Sequence, residues 1–370
     1  MPQYIYQNEN WPMFTWNDKE LMSLLGNVRN LQGRLIGRMK TIGFPLEGEA
    51  AVRVMTADVL KTSEIEGERL NLAKVRSSVA RYLGIEIPDM VPSDSNTEGV
   101  VEMLMDATLN NTETLTKERL FDWHASLFIA KPSWHKITVG NWRTDESGPM
   151  QVVSGPIGKE MVHYQAPNAL EVPLEMEILL EWINKENQED EIDPVLKAGI
   201  AHLWFLTIHP FDDGNGRIGR AIADMLLARS DNNTLRFYSM SSQIQIERDG
   251  YYEILEKTQK GKLDITDWLK WFLNCLKRAI LLTEEILKNV FRRANFWKTH
   301  ENTPLNERQK FMVNKLLDDF EGKLKTSKWA KMTKCSQDTA LRDIVDLLEK
   351  GILKKEAEGG RSTNYELADF

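Results

Sequence analysis

Cysteine is nearly missing: the chain of 370 residues has two, Cys275 and Cys335. They lie far apart and neither has the short spacing to another Cys or His that zinc sites use, which argues against a disulfide framework and a zinc site alike. No run of about 18 apolar residues could cross a bilayer, and the N-terminal stretch lacks a basic-then-apolar leader pattern, so a cytoplasmic protein without membrane contact is expected. Positive charge is in deficit, with 47 Lys and Arg against 55 Asp and Glu and a formal net charge of −8. That balance argues against nucleic-acid binding by the whole chain, though not by a local patch. The phosphate loop Gly-x-x-x-x-Gly-Lys-Ser/Thr is missing, as are the kinase catalytic-loop and metal-site signatures, so neither chemistry is expected. Internal repeats and low-complexity segments are missing too. What remains, 42% hydrophobic and 28% charged, is the composition of a helix-rich globular protein long enough for two or three domains.

Chemistry concentrates in one stretch, His209-Pro210-Phe211-Asp212-Asp213-Gly214-Asn215-Gly216-Arg217-Ile218-Gly219-Arg220. Upstream, Asp193 to Ile208 reads as a helix, with Val195, Leu196, Ile200, Leu203, Trp204 and Leu206 forming a broad apolar face. Pro210 biases His209 away from helical geometry, so that helix should stop where the histidine begins. Downstream, Ile218, Ile222, Met225 and Leu226 start a second helix. The motif is thus a loop feeding a helix N-terminus, where free N–H groups and the helix dipole attract anions. Gly214 and Gly216 allow the backbone to curl into an N–H-lined nest, and Arg217 and Arg220 share a helical face as two phosphate-gripping forks. His209, with an ordinary imidazole pKa of ~6.5, suits proton removal from an attacking hydroxyl near neutral pH. Asp213 is a hard oxygen ligand suited to Mg2+ shared with phosphates. A base beside a phosphate nest points to transfer chemistry at phosphorus.

The rest of the chain is mostly helical in pattern. Tyr4, Tyr6, Trp11, Phe14 and Trp16 form an aromatic arm that should pack onto a neighbouring surface. Helices are expected over about 17–39, 48–65, 68–83, 97–109, 116–129 and 170–187, with a turn at Gly43-Phe44-Pro45. Gly140-Asn141-Trp142-Arg143 and Met150-Gln151-Val152-Val153-Ser154-Gly155 read as extended segments, giving a hairpin near 150–165. After the motif helix, 234–246 reads as a polar connection, followed by a helix opening at Asp249-Gly250 and one continuous helix over about 265–290. Residues 303–370 change character: three short helices precede a hairpin turning at Gly359-Gly360, the element order of a winged helix-turn-helix.

At the central stretch the chain resembles the Fic family of AMP transferases, whose signature His-Pro-Phe-x-Asp/Glu-Gly-Asn-Gly-Arg-x-x-Arg is matched at every specified position from His209 to Arg220. The resemblance implies a mainly α-helical Fic fold with a short β-hairpin flap. It implies a Mg2+-dependent nucleotidyltransferase using ATP. In that reading His209 is the general base, Phe211 anchors the loop and Asp213 ligates Mg2+ on the α- and β-phosphates. Gly214, Asn215 and Gly216 form the anion nest, Arg217 holds the β-phosphate region, and Arg220 the γ-phosphate. Thr62-x-x-x-Glu66-Gly67 is similar to the family's inhibitory-helix motif, Ser/Thr-x-x-x-Glu-Gly/Asn, which implies that Glu66 pairs with Arg220 and keeps the γ-phosphate from its productive position. The 150–165 hairpin lies where the family has its target-docking flap, with Val152 and Val153 as clamp residues. Asp249-Gly250-Tyr251-Tyr252 resembles the adenine-side segment, with Gln259 where relatives often carry Asn. Trp11-Pro12-x-Phe14-Thr15-Trp16 resembles the leading domain of bacterial Fic proteins that also end in a winged helix.

The expected plan is therefore a helical region over 1–95 holding an inhibitory helix at about 48–66, a Fic core over 96–298 and a winged helix over 303–370. The implied activity is autoinhibited AMP transfer from ATP to a protein Ser, Thr or Tyr hydroxyl. Two other readings stay open: removal of AMP, with Glu66 orienting a water, and a nucleotide-sensing regulator that binds DNA. The implied partners are a target protein at the flap, the protein itself as target, and a second copy in a homodimer. The winged helix would contact DNA or protein; its 13 Lys and Arg against 12 Asp and Glu make a weak basic bias, with Lys354, Lys355 and Arg361 the phosphate-facing candidates. His202 is expected as a packed core histidine and His163 as a surface one, with lining of the cleft from the flap as the alternative for His163, while His124, His135 and His300 carry no functional signal.

Overall fold

The computed structural model describes residues 3–129, 137–146, 148–155, 159, 161–185, 192–233, 235–318, 320–356 and 363–370. The expected turn at Gly359-Gly360, Arg361 and His135 lie outside them. The chain divides into two compact units, Met1–Lys40 with Glu47–Glu284, and Thr41–Leu46 with Glu285–Phe370. In chain order the helices are α1 (Asp18–Thr41), α2 (Phe44–Ile65), α3 (Leu72–Tyr82), α4 (Ser95–Leu109) and α5 (Lys117–Phe128). Strands β1 (Gln151–Ser154) and β2 (Met161–Gln165) follow, then α6 (Val172–Asn184), α7 (Pro194–Ile208), α8 (Asn215–Asp231), α9 (Met240–Ile246), α10 (Arg248–Gln259) and α11 (Thr266–Ile286). The chain ends with α12 (Lys288–Thr299), α13 (Glu307–Leu317), α14 (Thr326–Met332), α15 (Gln337–Glu349), β3 (Leu353–Lys355) and β4 (Tyr365–Leu367). The protein is mainly α-helical, and among the described residues its only sheets are two antiparallel hairpins, β1–β2 and β3–β4. No helix among them is long and apolar enough to cross a membrane.

The first unit is built around α7. Every residue from Val195 to Ile208 is buried, as expected of a helix that is apolar on all sides. The Asp193 carboxylate caps it, accepting from the Val195 N–H at 2.8 Å. Helix α8 packs against α7 and α4, and α6 covers α7 from another side. The aromatic arm lies on this unit: Trp11 and Phe14 meet Trp204 edge-on, and Tyr4 meets Tyr164 of β2 in the same way. Helices α4 and α5 approach closely at Gly99, where a Cβ would fall inside the van der Waals shell of the Ser126 carbonyl oxygen. Because that obstacle is backbone, Gly99→Ala should cost about 2–3 kcal/mol, the upper part of the overpacking range. Urea unfolding followed by circular dichroism would show a lower midpoint at unchanged slope; an unchanged midpoint would mean that the helices separate without cost.

Charged groups fix α2 beside α8. Asp58 of α2 accepts from the Ser239 hydroxyl and from the Ser241 N–H, and Asp224 of α8 pairs with Arg236. All of these side chains are buried. Burial pushes the Asp224 carboxyl up to about 8, against the pull of Arg236 and with Asp58 adding to the rise. Asp58 thereby ties α2 to the start of α9, and Arg236 ties α8 to the segment that leads into it.

The structure departs from the expected elements at four places. Helix α2 starts at Phe44 rather than after Pro45, since proline is tolerated in a first turn. Residues 140–143 form no strand. The connection at 234–246 contains α9, capped by the Ser239 hydroxyl, which accepts from the Ser242 N–H at 2.9 Å; its buried Ser241, Ser242 and Gln243 hide the apolar spacing of Met240 and Ile244. The helix expected over 265–290 is interrupted at Leu287 between α11 and α12.

The second unit has its own core, with Phe296, Met312, Val313, Leu317, Trp329, Ile344 and Leu347 buried together and Tyr365 closing one side. Asn306 and Gln309 form a reciprocal capping box on α13, and Ser336 caps α15. Of the phosphate-facing candidates, Lys354 is engaged by carboxylates, Asp369 at 3.0 Å and Glu366 at 3.8 Å.

Candidate active site

The site begins with the end of α7. His209 adopts a left-handed conformation, φ 52 and ψ 60, and its N–H still bonds the Phe205 carbonyl at 2.9 Å. The helix does stop at the histidine, yet by a left-handed cap rather than the extended geometry that a following proline favours. Arg143, unrecognised in the sequence, enforces this turn. Its Nε donates to the His209 carbonyl at 2.8 Å, its backbone N–H to the Pro210 carbonyl at 2.9 Å, and Nη2 to the Pro167 carbonyl at 2.6 Å. The Arg143 side chain is fully buried and pairs with Asp145 at 3.1 Å.

Below the turn, Phe211 is fully buried and stacks on His124, ring centroids 4.2 Å apart. His124 Nε2 lies 3.2 Å from the Asp213 carbonyl, to which only a donor can bond, and Nδ1 accepts from the Gly140 N–H at 3.0 Å. Burial pulls its pKa down to about 4, so it is a neutral brace for the motif loop. Asn215 braces the same loop: its amide donates to the Phe211 carbonyl at 2.7 Å and accepts from the Phe211 N–H at 3.0 Å. Gly214, at φ +84, has Phe128 and Leu127 side-chain carbons 3.2 and 3.3 Å from where a Cβ would sit. A left-handed conformation and that close approach together favour glycine at this entry to α8.

His209 Nδ1 sits 3.3 Å from the Leu206 carbonyl. Since a carbonyl only accepts, Nδ1 carries the proton and Nε2 the lone pair. Burial lowers the pKa of the ring to about 4, and the neighbouring Arg143 charge adds to the fall, against the Leu206 bond, Glu66 and Asp213. At neutral pH His209 is an uncharged base.

His209, Asp213, Gly214, Asn215 and Gly216 line one cavity of about 690 Å3 together with Glu66. The Asp213 carboxylate accepts from the Gly214 N–H at 2.6 Å, and 46% of its side chain is exposed. No group of three or more His, Cys, Asp or Glu side chains gathers to hold a metal among the described residues. One half-exposed carboxylate beside a helix N-terminus fits Mg2+ shared with phosphates and does not fit an all-protein metal cage.

The expected pairing of Glu66 with Arg220 is present, at 2.8 Å. Arg220 also donates to the Thr62 hydroxyl at 2.8 Å and to the Thr62 carbonyl at 2.9 Å, and is 2% exposed. Thr62 is fully buried. Gly67, at φ +81, ends α2 by a left-handed turn: the Gly67 N–H bonds the Glu64 carbonyl and the Glu68 N–H bonds the Ser63 carbonyl. The turn carries Glu66 onto Gly216, where a Cβ would overlap its carboxylate oxygen. Arg248 donates to the Ile65 carbonyl at 2.9 Å, tying α10 to the same helix end.

The same cavity is walled by β1 and α10. Val152 pairs with Tyr164, and Val153 with Val162 across an irregularity; Val153 is 48% exposed. Tyr251 is buried, its hydroxyl 2.9 Å from His202 Nε2, and His202 is the packed core histidine expected. Tyr252 lies under the Arg248 guanidinium, and Gln259 is buried with its amide donating to the Leu206 carbonyl at 3.1 Å. His163, expected at the surface, instead links Ser154 at 2.6 Å to Glu256 at 2.7 Å and so tethers the hairpin to α10. Arg143, His124 and His163 share a cause for having been missed: each acts on a segment remote in sequence, and no local spacing marks it.

Comparison with known proteins bears on this site directly. Residues 114–227 match the Fic/DOC family, and residues 4–85 match a domain of unknown function, DUF4172. The chain is 30% identical over 175 residues to the protein adenylyltransferase fic-1 of Caenorhabditis briggsae, covering 46% of this chain and 31% of that one. It is 30% identical over 118 residues to a probable protein adenylyltransferase of Aquifex aeolicus, covering 30% of this chain and 36% of that one. The chain thus spans about a third of the length of these relatives. A Fic family protein from Desulfovibrio desulfuricans G20 superposes with a TM-score of 0.57 at 18% identity, covering 94% of this chain and 96% of that one. A Fic domain containing signaling protein from Bacteroides thetaiotaomicron gives 0.51 at 17% identity, covering 72% and 98%. At such identities the structural likeness concerns the fold alone. Family match and motif geometry coincide on α7, the loop and α8: the chain carries a domain of the Fic/DOC family.

Proposed function

We propose that the protein is an autoinhibited adenylyltransferase that moves AMP from ATP to a Ser, Thr or Tyr hydroxyl of a protein and releases pyrophosphate. The observation that carries this reading is the single cavity in which an uncharged His209 faces the N-terminus of α8 while Glu66 holds Arg220. The target hydroxyl attacks the α-phosphorus, its proton passes to His209 Nε2, and the bond from that phosphorus to the bridging oxygen of the β-phosphate breaks. Gly214, Asn215 and Gly216 form the anion nest at the helix entry, where the Gly214 N–H exchanges the Asp213 carboxylate for a phosphate oxygen, and Arg217 and Arg220 take the β- and γ-phosphates. Asp213 would hold Mg2+, which would supply charge neutralisation at the phosphates. The Tyr251, Tyr252 and Gln259 side takes the adenine. The β1–β2 hairpin, with Val152 and Val153, takes an extended target segment by strand addition, whether from another protein or from a second copy of this chain. Residues 303–370 are read as a winged helix that contacts protein or DNA.

Position of the label tests the chemistry. Glu66→Gly protein incubated with a target-containing lysate should acquire label from ATP carrying 32P at the α-phosphate and none from ATP carrying it at the γ-phosphate. Label from the γ position would replace nucleotidyl transfer by phosphoryl transfer, and label from neither would remove the transferase reading.

A further inference from the structure

Glu66 is not alone at the end of α2. Two residues on, Glu68 pairs with Arg217 at 2.9 Å, so the first motif arginine is also engaged by a carboxylate. The geometry follows from the turn. Glu66 and Glu68 N–H groups both bond the Ser63 carbonyl, and the positive φ of Gly67 between them sends both side chains toward α8. On α8 the arginines are three apart and share a face. Two carboxylates spaced by a glycine thereby meet two guanidiniums spaced by a helical turn.

We infer that Glu68 is a second inhibitory carboxylate, which competes with the nucleotide β-phosphate for Arg217 as Glu66 competes with the γ-phosphate for Arg220. The inference rests on the adenylyltransferase reading for which phosphate each arginine serves. Burial supplies the physical ground. The Arg217 and Arg220 side chains are 1% and 2% exposed, so a phosphate oxygen reaches neither guanidinium without displacing its carboxylate. The Phe128 ring packs 5.5 Å from the Arg217 guanidinium, and Asp213 stands farther off than Glu68, at 3.7 Å. Arg217 Nε is buried with no acceptor among the described residues. A stranded N–H is unfavourable, and an incoming phosphate oxygen would satisfy it. Glu68 is a positioning residue: it acts by holding Arg217 away from substrate.

The two locks differ in which nucleotides they discriminate, which separates this idea from general destabilisation. Calorimetric titration of the full chain with AMP, ADP and ATP, each with Mg2+, should show Glu68→Gln binding ADP and ATP about tenfold more tightly than wild type. Glu66→Gln should gain for ATP alone, the double variant should bind ATP more tightly than either single one, and AMP should be unaffected throughout. Glu68→Asp, which keeps the charge, should stay within about threefold of wild type. ADP affinity within twofold of wild type in Glu68→Gln, at an unchanged thermal midpoint, would overturn the inference; so would an equal gain for AMP. The underlying reading fails separately: a Glu66→Gly protein that transfers no nucleotide label defeats it whatever Glu68→Gln does to ADP.

Discussion

Glu66→Gly is expected to raise transfer of α-labelled phosphate from ATP to protein by about two orders of magnitude while making the nucleotide-free protein less stable. The two effects have one origin. In the wild type the Arg220 guanidinium, 2% exposed, is neutralised by Glu66 at 2.8 Å. With the carboxylate gone, Arg220 keeps its bonds to the Thr62 hydroxyl and carbonyl but loses its counter-charge. Breaking a fully buried pair costs about 3–5 kcal/mol; since 29% of the Glu66 side chain faces solvent, about 2 kcal/mol is the better expectation. The freed fork is what a γ-phosphate needs, and one aligned, desolvated charge contact on a transferring phosphate chain is worth about 10²–10³ in rate. ATP should therefore return the thermal midpoint toward that of wild type, since ligand binding to the folded state alone stabilises it. Glycine is tolerated because residue 66 lies beyond the last residue of α2, so no helical residue is lost. Labelling no greater than that of wild type would sink the assignment of Glu66, and a lower midpoint that ATP fails to restore would show that Arg220 does not receive the nucleotide.

How much of this was legible in the sequence depended on distance along the chain. The loop between α7 and α8 could be read because its chemistry is local: one base, two glycines flanking Asn215 and two arginines three apart within twelve residues, between apolar patterns that fix a helix on either side. The Glu66–Arg220 pair spans more than 150 residues and was reachable only because the Thr62–Gly67 spacing resembles a known motif. Glu68 has no such spacing. A glutamate three residues beyond a helix end is solvated far more often than it is paired, and only the turn at Gly67 shows that it faces Arg217. Arg143 is a similar case. A lone arginine among turn residues looks like a surface charge, yet three carbonyls and Asp145 receive its donors in the interior. Helices were legible wherever one face alone is apolar. The reading failed at α9, whose polar residues are buried, and at Leu287, where the apolar period runs on through a break in the backbone.

The second large effect is expected at His209. In the Glu66→Gly background, His209→Ala should lower transfer by about 10²–10⁴, the range for removing a positioned general base, with ATP affinity within twofold of the parent. Binding is spared because the ring contributes no charge to the nucleotide: burial and the Arg143 charge hold its pKa near 4, so it is neutral at pH 7. The same shift fixes the pH dependence. The free base is the active form, so rate is lost only as pH falls through the folded-state pKa, and kcat/KM of the parent should be equal within twofold at pH 7.5 and pH 5.5. An ordinary imidazole titrating near ~6.5 would instead lose about nine-tenths of its activity over that interval. Removing Glu66 takes away a carboxylate that raises the His209 pKa, which moves the acid limb further down and strengthens the contrast. Arg143 turns the argument into a test of cause. Its charge depresses the ring pKa, and its Nε bond to the His209 carbonyl holds the left-handed turn. Arg143→Lys keeps the charge and loses the planar fork, so it should lower the rate while leaving the acid limb below pH 5.5. A limb near pH 6.5 in the parent would show that His209 is solvated in the working enzyme, and a His209→Ala rate equal to that of the parent would give the proton to another base.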